Sequence, residues 1–182
     1  NPDYYYTNFY GVSNITHPLE NIERYKNQYN KQHRLLATGK GIVTLYDTKK
    51  FNRGDNYNHS LKFTTTFTED LRMNNNTSFL DPHKTSWGRN QYGEASDTRS
   101  TDLVTVWDNV LNYTTNMNGH NLDVMLGSSY THSMWTQSYI AGSHFADGTI
   151  QTLNAANKID PGSTGTSASE WAIMSGFARV SY

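Results

Sequence analysis

The sequence predicts an all-β chain of antiparallel, up-and-down strands, and three observations support that prediction. Residues 61–73 alternate apolar and polar side chains throughout, which is typical of a strand with one apolar face. Asn118 and Gly119 suit a type I′ hairpin turn, because both residues tolerate positive φ. Two long stretches rich in turn residues, 74–100 and 136–168, predict long loops. The predicted strands lie near 42–46, 61–73, 102–115, 121–135 and 169–182.

Strand 61–73 shows the clearest alternation in the chain. Glu69 is the one charged residue on its apolar side, and we expect it to mark the end of the apolar zone. The odd positions carry Leu61, Phe63, Phe67, Leu71 and Met73, and the even positions include Lys62, Asp70 and Arg72.

The hairpin around residues 118–119 fixes which side chains share a face. A turn at this position gives the hairpin one apolar face, which has an aromatic side chain towards each end. Pairs such as Asp108 and Ser129 lie on the other face. Long strands joined by a tight turn at one end and long loops at the other are typical of a transmembrane β-barrel. The predicted pairs on the apolar side of the hairpin are Tyr113–Val124, Leu111–Leu126, Trp107–Tyr130 and Leu103–Met134. The predicted lipid-facing residues are Leu61, Phe63, Phe67, Leu111, Tyr113, Leu122, Val124 and Leu126.

The composition fits two classes of protein. Of the 182 residues, 35% are hydrophobic and 13% are aromatic, which suits a membrane barrel, since only alternate strand residues there must be apolar. It suits a secreted carbohydrate-binding β-sandwich equally well. The net charge of −1, without a block of Lys or Arg, argues against a nucleic-acid partner. No cysteine is present, and no run of about 18 apolar residues predicts a transmembrane helix.

The remaining segments carry weaker signals. We expect residues 1–34 to be irregular, with one helical turn over 19–25, and residues 52–56 to form a turn.

Several of these segments also share a pattern with a known family. Three segments stand in this order: Val106-Trp-Asp-Asn-Val-Leu-Asn-Tyr113, Gly119-His-Asn-Leu-Asp-Val-Met-Leu-Gly-Ser-Ser-Tyr130 and Trp171-Ala-Ile-Met-Ser-Gly-Phe-Ala-Arg-Val-Ser-Tyr182. Together with Asp97-Thr-Arg-Ser100 and the segment at 19–25, they resemble TonB-dependent transporters of the SusC type. The resemblance covers most of the chain from about residue 18.

The resemblance implies an outer-membrane barrel that imports glycans or peptides in bacteria. Such a barrel encloses an N-terminal plug, receives energy from TonB and works beneath a SusD-like surface lipoprotein. The chain carries neither the plug nor most of the barrel. A barrel of about 22 strands needs roughly 220 residues before loops are counted, more than the 182 present. We therefore expect a segment of a transporter whose edge strands, 42–46 and 169–182, pair with the remainder of the barrel.

Aromatic residues in the predicted loops are the candidates for ligand binding, because their faces are apolar platforms. The candidates are Trp87, Arg89 and Tyr92 in the first loop and Trp135 and Tyr139 at the start of the second. For Trp107, Tyr130 and Trp135, an interfacial aromatic belt is the favoured interpretation.

No residue pattern indicates an enzyme. The seven histidines are spread singly, without zinc-binding spacing, and Gly-x-Ser-x-Gly is absent. We therefore predict no catalytic residue, no metal and no cofactor. Two alternatives to the transporter segment stay open, namely a soluble secreted β-sandwich carbohydrate-binding module and, less favoured, an enzyme on a β scaffold.

Overall fold

A computed structural model describes residues 18–48, 57–117 and 119–182 of the chain. Within these ranges, the protein is mostly antiparallel, up-and-down β-structure in one open sheet of six strands, which confirms the predicted all-β class. The order across the sheet is β1-β2-β3-β4-β5, and β6 also pairs with β4. The elements are α1 (Pro18–Tyr25), β1 (Gln28–Asp47), β2 (Tyr57–Leu80), α2 (Ser86–Gln91), β3 (Glu94–Met117), β4 (His120–Ser143), β5 (Lys158–Ile159) and β6 (Gly165–Ser181).

Side-chain contacts across the β3–β4 hairpin agree with the predicted pairing. Ser129 donates to Asp108, and Asn116 donates to Asn121, and both pairs fall in the register that a turn at 118–119 sets. Gly119 adopts a φ of 85°, a left-handed conformation that glycine reaches without a steric penalty. Asn118 and the predicted turn at 52–56 lie outside the described residues.

Strand β1 is much longer than predicted. The prediction of 42–46 was wrong at its start, because pairing begins at Gln28 and runs to Asp47. Nearly every residue of β1 is exposed, so neither face had to be apolar for the strand to form. Backbone hydrogen bonds with β2 stabilise the strand. Because these bonds do not depend on the side chains, they produce no alternation of apolar and polar residues in the sequence.

The two predicted long loops are shorter in the structure. Strand β2 continues to Leu80 and β3 starts at Glu94, so the predicted loop 74–100 shrinks to 81–93 and contains α2. Polar residues extend this ladder, since Ser78 and Ser96 form a hydrogen bond of 2.7 Å. Likewise, β4 runs to Ser143, and the predicted loop 136–168 shrinks to 144–164. That connection contains β5 and two 3₁₀ turns, Leu153–Ala155 and Pro161–Ser163.

The chain forms two compact units. The loop unit comprises the described residues of 18–33, 72–101 and 136–168. Its small core consists of Phe79, Ala95 and Phe145, all buried. The two phenylalanine rings meet edge to face, with centroids 5.2 Å apart. The strand unit comprises the described residues of 34–71, 102–135 and 169–182.

Helices α1 and α2 are joined within the loop unit. Pro18 opens α1, where its missing N–H costs nothing. Glu20 is fully buried, and its Oε1 accepts hydrogen bonds from the Ser86 backbone N–H at 2.6 Å and from the Ser86 hydroxyl. A carboxylate at this position satisfies the first turn of α2 and complements its dipole. Neither helix, nor any other among the described residues, is long and apolar enough to cross a membrane.

Candidate functional site

The three ligand-binding candidates of the first loop lie on α2 or at its end. Trp87 is half exposed, and the Arg24 guanidinium lies 4.9 Å from its ring centroid. Arg89 donates a hydrogen bond to the carbonyl of His83 at 3.1 Å. Tyr92 ends the helix in a left-handed conformation with a φ of 53°. The Tyr92 ring stacks on His144, with centroids 5.1 Å apart, so each of the three side chains contacts a different neighbour.

The other two candidates lie on β4 rather than in a loop. Tyr139 packs beside Gly165, where an added Cβ would lie 2.9 Å from the tyrosine hydroxyl. Tyr139 belongs to the loop unit and Trp135 to the strand unit. The expectation that both residues stand at the mouth of a loop was wrong, because β4 continues eight residues beyond Trp135.

The strand unit has two faces that differ mainly in charge, since exposed apolar side chains such as Ile173 also lie on the face that carries the ion pairs. Cross-strand contacts assign each strand's residues to them: His59 contacts Tyr113 on one face, while Ser129 contacts Asp108 on the other. We call these the apolar face and the polar face. The apolar face comprises the odd residues of β1 to β3 and the even residues of β4 and β6. The polar face comprises the even residues of β1 to β3 and the odd residues of β4 and β6.

The apolar face carries large apolar side chains that are exposed. Leu126 is 52% exposed and Met174 is 80% exposed. No second sheet covers this face within the described ranges, which form a single sheet. All eight residues predicted to face lipid belong to this face, and each is half-buried or exposed: Leu61, Phe63, Phe67, Leu111, Tyr113, Leu122, Val124 and Leu126.

Charged residues and histidines of the apolar face lie near its two ends, while uncharged polar residues such as Asn109 and Ser128 lie between them. Towards the long loops, Nε2 of His132 lies 2.7 Å from Oε1 of Glu170. Glu69 of β2 lies near the same height along the strands. The Thr65–Trp107 and Asp108–Ser129 contacts fix the strand register, which places Glu69 opposite the region of residue 104 on β3 and of residue 133 on β4. The charge of Glu69 therefore coincides with a wider boundary that also includes His132 and Glu170.

Two His–Tyr pairs lie on the apolar face towards the short turn, the first opposite Val124 and the second four residues nearer the turn. Nδ1 of His59 lies 2.8 Å from the hydroxyl of Tyr113, and the two rings are stacked. His120 of β4 and Tyr182, directly after β6, make the same contact at 2.5 Å. Rings of this kind combine an apolar body with a polar tip, so they suit a transition from an apolar to an aqueous environment.

The polar face carries ion pairs between neighbouring strands. Arg34 donates to both carboxylate oxygens of Asp70, at 2.8 and 2.9 Å. Arg179 of β6 lies 3.4 Å from the carboxylate of Asp123 on β4. In these pairs, each charged side chain has an oppositely charged hydrogen-bonding partner. A cavity of about 590 Å³ lies at the short-turn end of this unit, lined partly by Lys62, Asp123 and Tyr182.

One glycine on the polar face is required by a close approach. A Cβ on Gly127 would lie 2.2 Å from the ring of Phe177 on the neighbouring strand β6. The missing side chain lets this ring approach β4 closely. Any side chain at this position, alanine included, would force the Phe177 ring to move.

Sequence reasoning missed the paired histidines. The histidines were expected to be spread singly, whereas His120 stacks on Tyr182. The pairs between β2 and β3 and between β4 and β6 join strands across long connections, so no turn sets their register in the sequence. The signal available in the sequence was the odd or even position along each strand. By this criterion, His59, His120 and His132 share a face with apolar residues of their own strands.

No group of three or more His, Asp or Glu side chains could hold a metal ion within the parts of the chain that the structure describes. Comparisons with protein-family models, with curated proteins and with solved structures found no match.

Proposed function

We propose that the chain is a segment of a TonB-dependent β-barrel transporter of the bacterial outer membrane, importing glycans or peptides with a SusD-like lipoprotein. One observation carries this proposal. The strand unit presents an exposed apolar face opposite a face that carries ion pairs such as Arg34–Asp70. An apolar face of this extent in water favours aggregation, whereas in a membrane it is satisfied by lipid.

On β4, the spacing of the two histidines of the apolar face is close to the thickness of the apolar band of a membrane barrel. His132 follows His120 by 12 residues on β4. At about 3.3 Å per residue, this distance is about 40 Å along the strand. A strand tilted by about 45° then spans about 28 Å across the membrane, close to the apolar band of about 25 Å of such barrels. Leu126 lies at the midpoint of this stretch.

The two edges of the sheet support the same proposal. Among the described residues, β1 pairs only with β2, and β6 pairs only with β4. Unpaired backbone groups cost several kcal/mol each in hydrocarbon, so a spanning sheet must close. We propose that further strands of the same transporter pair with both edges.

Membrane fractionation of the whole protein tests the proposal. The protein should stay with the outer-membrane fraction after washing with alkaline carbonate and should leave it only in detergent. Uptake of a glycan or peptide should also fall when the gene is deleted or TonB is absent. A monodisperse monomer in plain buffer would overturn the proposal and favour the carbohydrate-binding sandwich.

A further inference from the structure

The loop unit contains a cleft that none of the predicted ligand-binding residues lines. Its volume is about 480 Å³, within the range of small-molecule sites. Phe79 and Ala95, both buried, contribute to its lining from adjacent strands. Tyr29 of β1 and the segment 151–154 of the long loop also line it. Tyr29 is 54% exposed, so its ring is accessible.

The charges of this cleft neutralise one another. Asp97 and Arg99 are the only charged residues among the described residues that line it. Arg99 donates from Nε and from one terminal nitrogen to the two carboxylate oxygens of Asp97, both at 3.1 Å. A charged ligand would have to compete with this bidentate pair. The cleft therefore favours a neutral ligand.

The remaining polar lining combines donors and acceptors. Asn27, Gln151 and Asn154 contribute amides, each of which can donate and accept hydrogen bonds. The ring of Tyr29 and the buried Phe79 add apolar surface beside them. A ligand that matches this lining presents hydroxyl groups around its edge and an apolar C–H face.

We propose that this cleft binds a neutral saccharide, with Tyr29 stacking on the C–H face of a sugar ring and the amides contacting its hydroxyls. The inference is argued from the geometry of the loop unit, and it narrows the glycans or peptides of the proposed function to a neutral saccharide at one cleft. It would hold even if the strand unit did not lie in a membrane.

Titration calorimetry on the whole protein tests the site, in a detergent whose head group is not a sugar. The probes are neutral hexasaccharides of glucose and of xylose, an oligoglucuronate and a neutral Ser/Ala hexapeptide. At least one neutral hexasaccharide should bind, and Tyr29→Ala should weaken its binding tenfold or more. Tyr25→Ala is the matched control, because Tyr25 is 55% exposed but lies outside the cleft.

A second variant keeps the test valid if Tyr29→Ala does not fold. Gln151→Ala, in the exposed loop segment, should weaken the same sugar at least threefold. The proposal is overturned if neither hexasaccharide binds, if Tyr25→Ala weakens binding as much as Tyr29→Ala, or if the peptide or the oligoglucuronate binds more tightly. Loss of sugar binding in these variants should leave membrane fractionation unchanged, so the two proposals fail independently.

Discussion

Ser129 donates a hydrogen bond of 2.5 Å from its hydroxyl to Oδ1 of Asp108, across the β3–β4 hairpin on the polar face. This contact fixes the register that places Leu126 and Leu111 on the opposite face. A slip of one residue would exchange the two faces of β4, and with them the environments of Leu126 and Met125.

The Ser129–Asp108 contact should be energetically coupled. In a double-mutant cycle with Ser129→Ala and Asp108→Ala, we expect a coupling of about 1–2 kcal/mol, because the acceptor is a carboxylate and the pair is partly buried. Urea-dependent folding of the whole protein measures it. The exposed Thr38–Thr68 pair, at 3.1 Å, is the control, with an expected coupling below about 0.5 kcal/mol. Equal couplings would contradict the structural role of Ser129.

Leu126→Arg should distinguish lipid from water at the apolar face. At the middle of a bilayer, the substitution should cost about 2–4 kcal/mol, whereas Tyr130→Arg near the boundary should cost about 1 kcal/mol or less. Met125→Arg on the polar face is the matched control and should cost little. Folding of the whole protein into lipid vesicles measures all three, and equal costs at 126 and 125 would argue against a lipid-facing surface.

Glu20 should stabilise the junction between α1 and α2. Glu20→Ala removes the acceptor for the Ser86 N–H and hydroxyl, both partly buried, and should cost about 1–3 kcal/mol of local stability. Hydrogen exchange of the amides over 86–91 measures the effect. Glu23→Ala on the same helix removes only an ion pair with Lys26 and should change it by less than about 1 kcal/mol. Similar protection in both variants would contradict this role.

The 3₁₀ turn at Pro161–Ser163 should loosen in acid. Hydrogen bonds from Ser163 and from the Gly162 N–H lower the pKa of the Asp160 carboxyl below its ordinary value. Because the folded pKa is lowered, these bonds contribute fully above the ordinary pKa of about 3.9 and are lost as the pH falls through the folded value.

An NMR titration of the Gly162 amide shift reports this transition. Its midpoint should lie below about 3.9, and the transition should vanish in Asp160→Asn, whose side chain does not titrate. A midpoint at or above the ordinary value would refute the assignment.

Side-chain alternation predicted the strands that have one apolar face. The alternation of Phe63 and Phe67 with polar residues such as Lys62 identified β2. The predicted hairpin turn correctly placed Asp108 opposite Ser129. Alternation fails where both faces of a strand are exposed, so most of β1 was missed. It also fails where polar residues such as Ser78 and Ser96 hold a ladder.

The cleft of the loop unit was outside the reach of sequence reasoning. Tyr29, Asp97 and Gln151 come from three distant segments, and only the pairing of β1, β2 and β3 with a folded loop brings them together. The predicted binding residues were chosen as loop aromatics instead. One of them, Tyr139, lies on a strand because β4 is longer than the alternation indicated, and Trp135, the last residue of the predicted strand, lies eight residues before the end of β4.

Site-directed spin labelling along β4 tests the central claim most directly. The chain has no cysteine, so each label introduced into it has one site in these 182 residues. In the whole protein in lipid vesicles, labels at Leu122, Val124 and Leu126 should collide often with oxygen and rarely with a water-soluble nickel chelate. Labels at Asp123 and Met125 should show the reverse. Equal access of the nickel chelate to both sets would contradict the proposal that alternate residues of this strand face lipid.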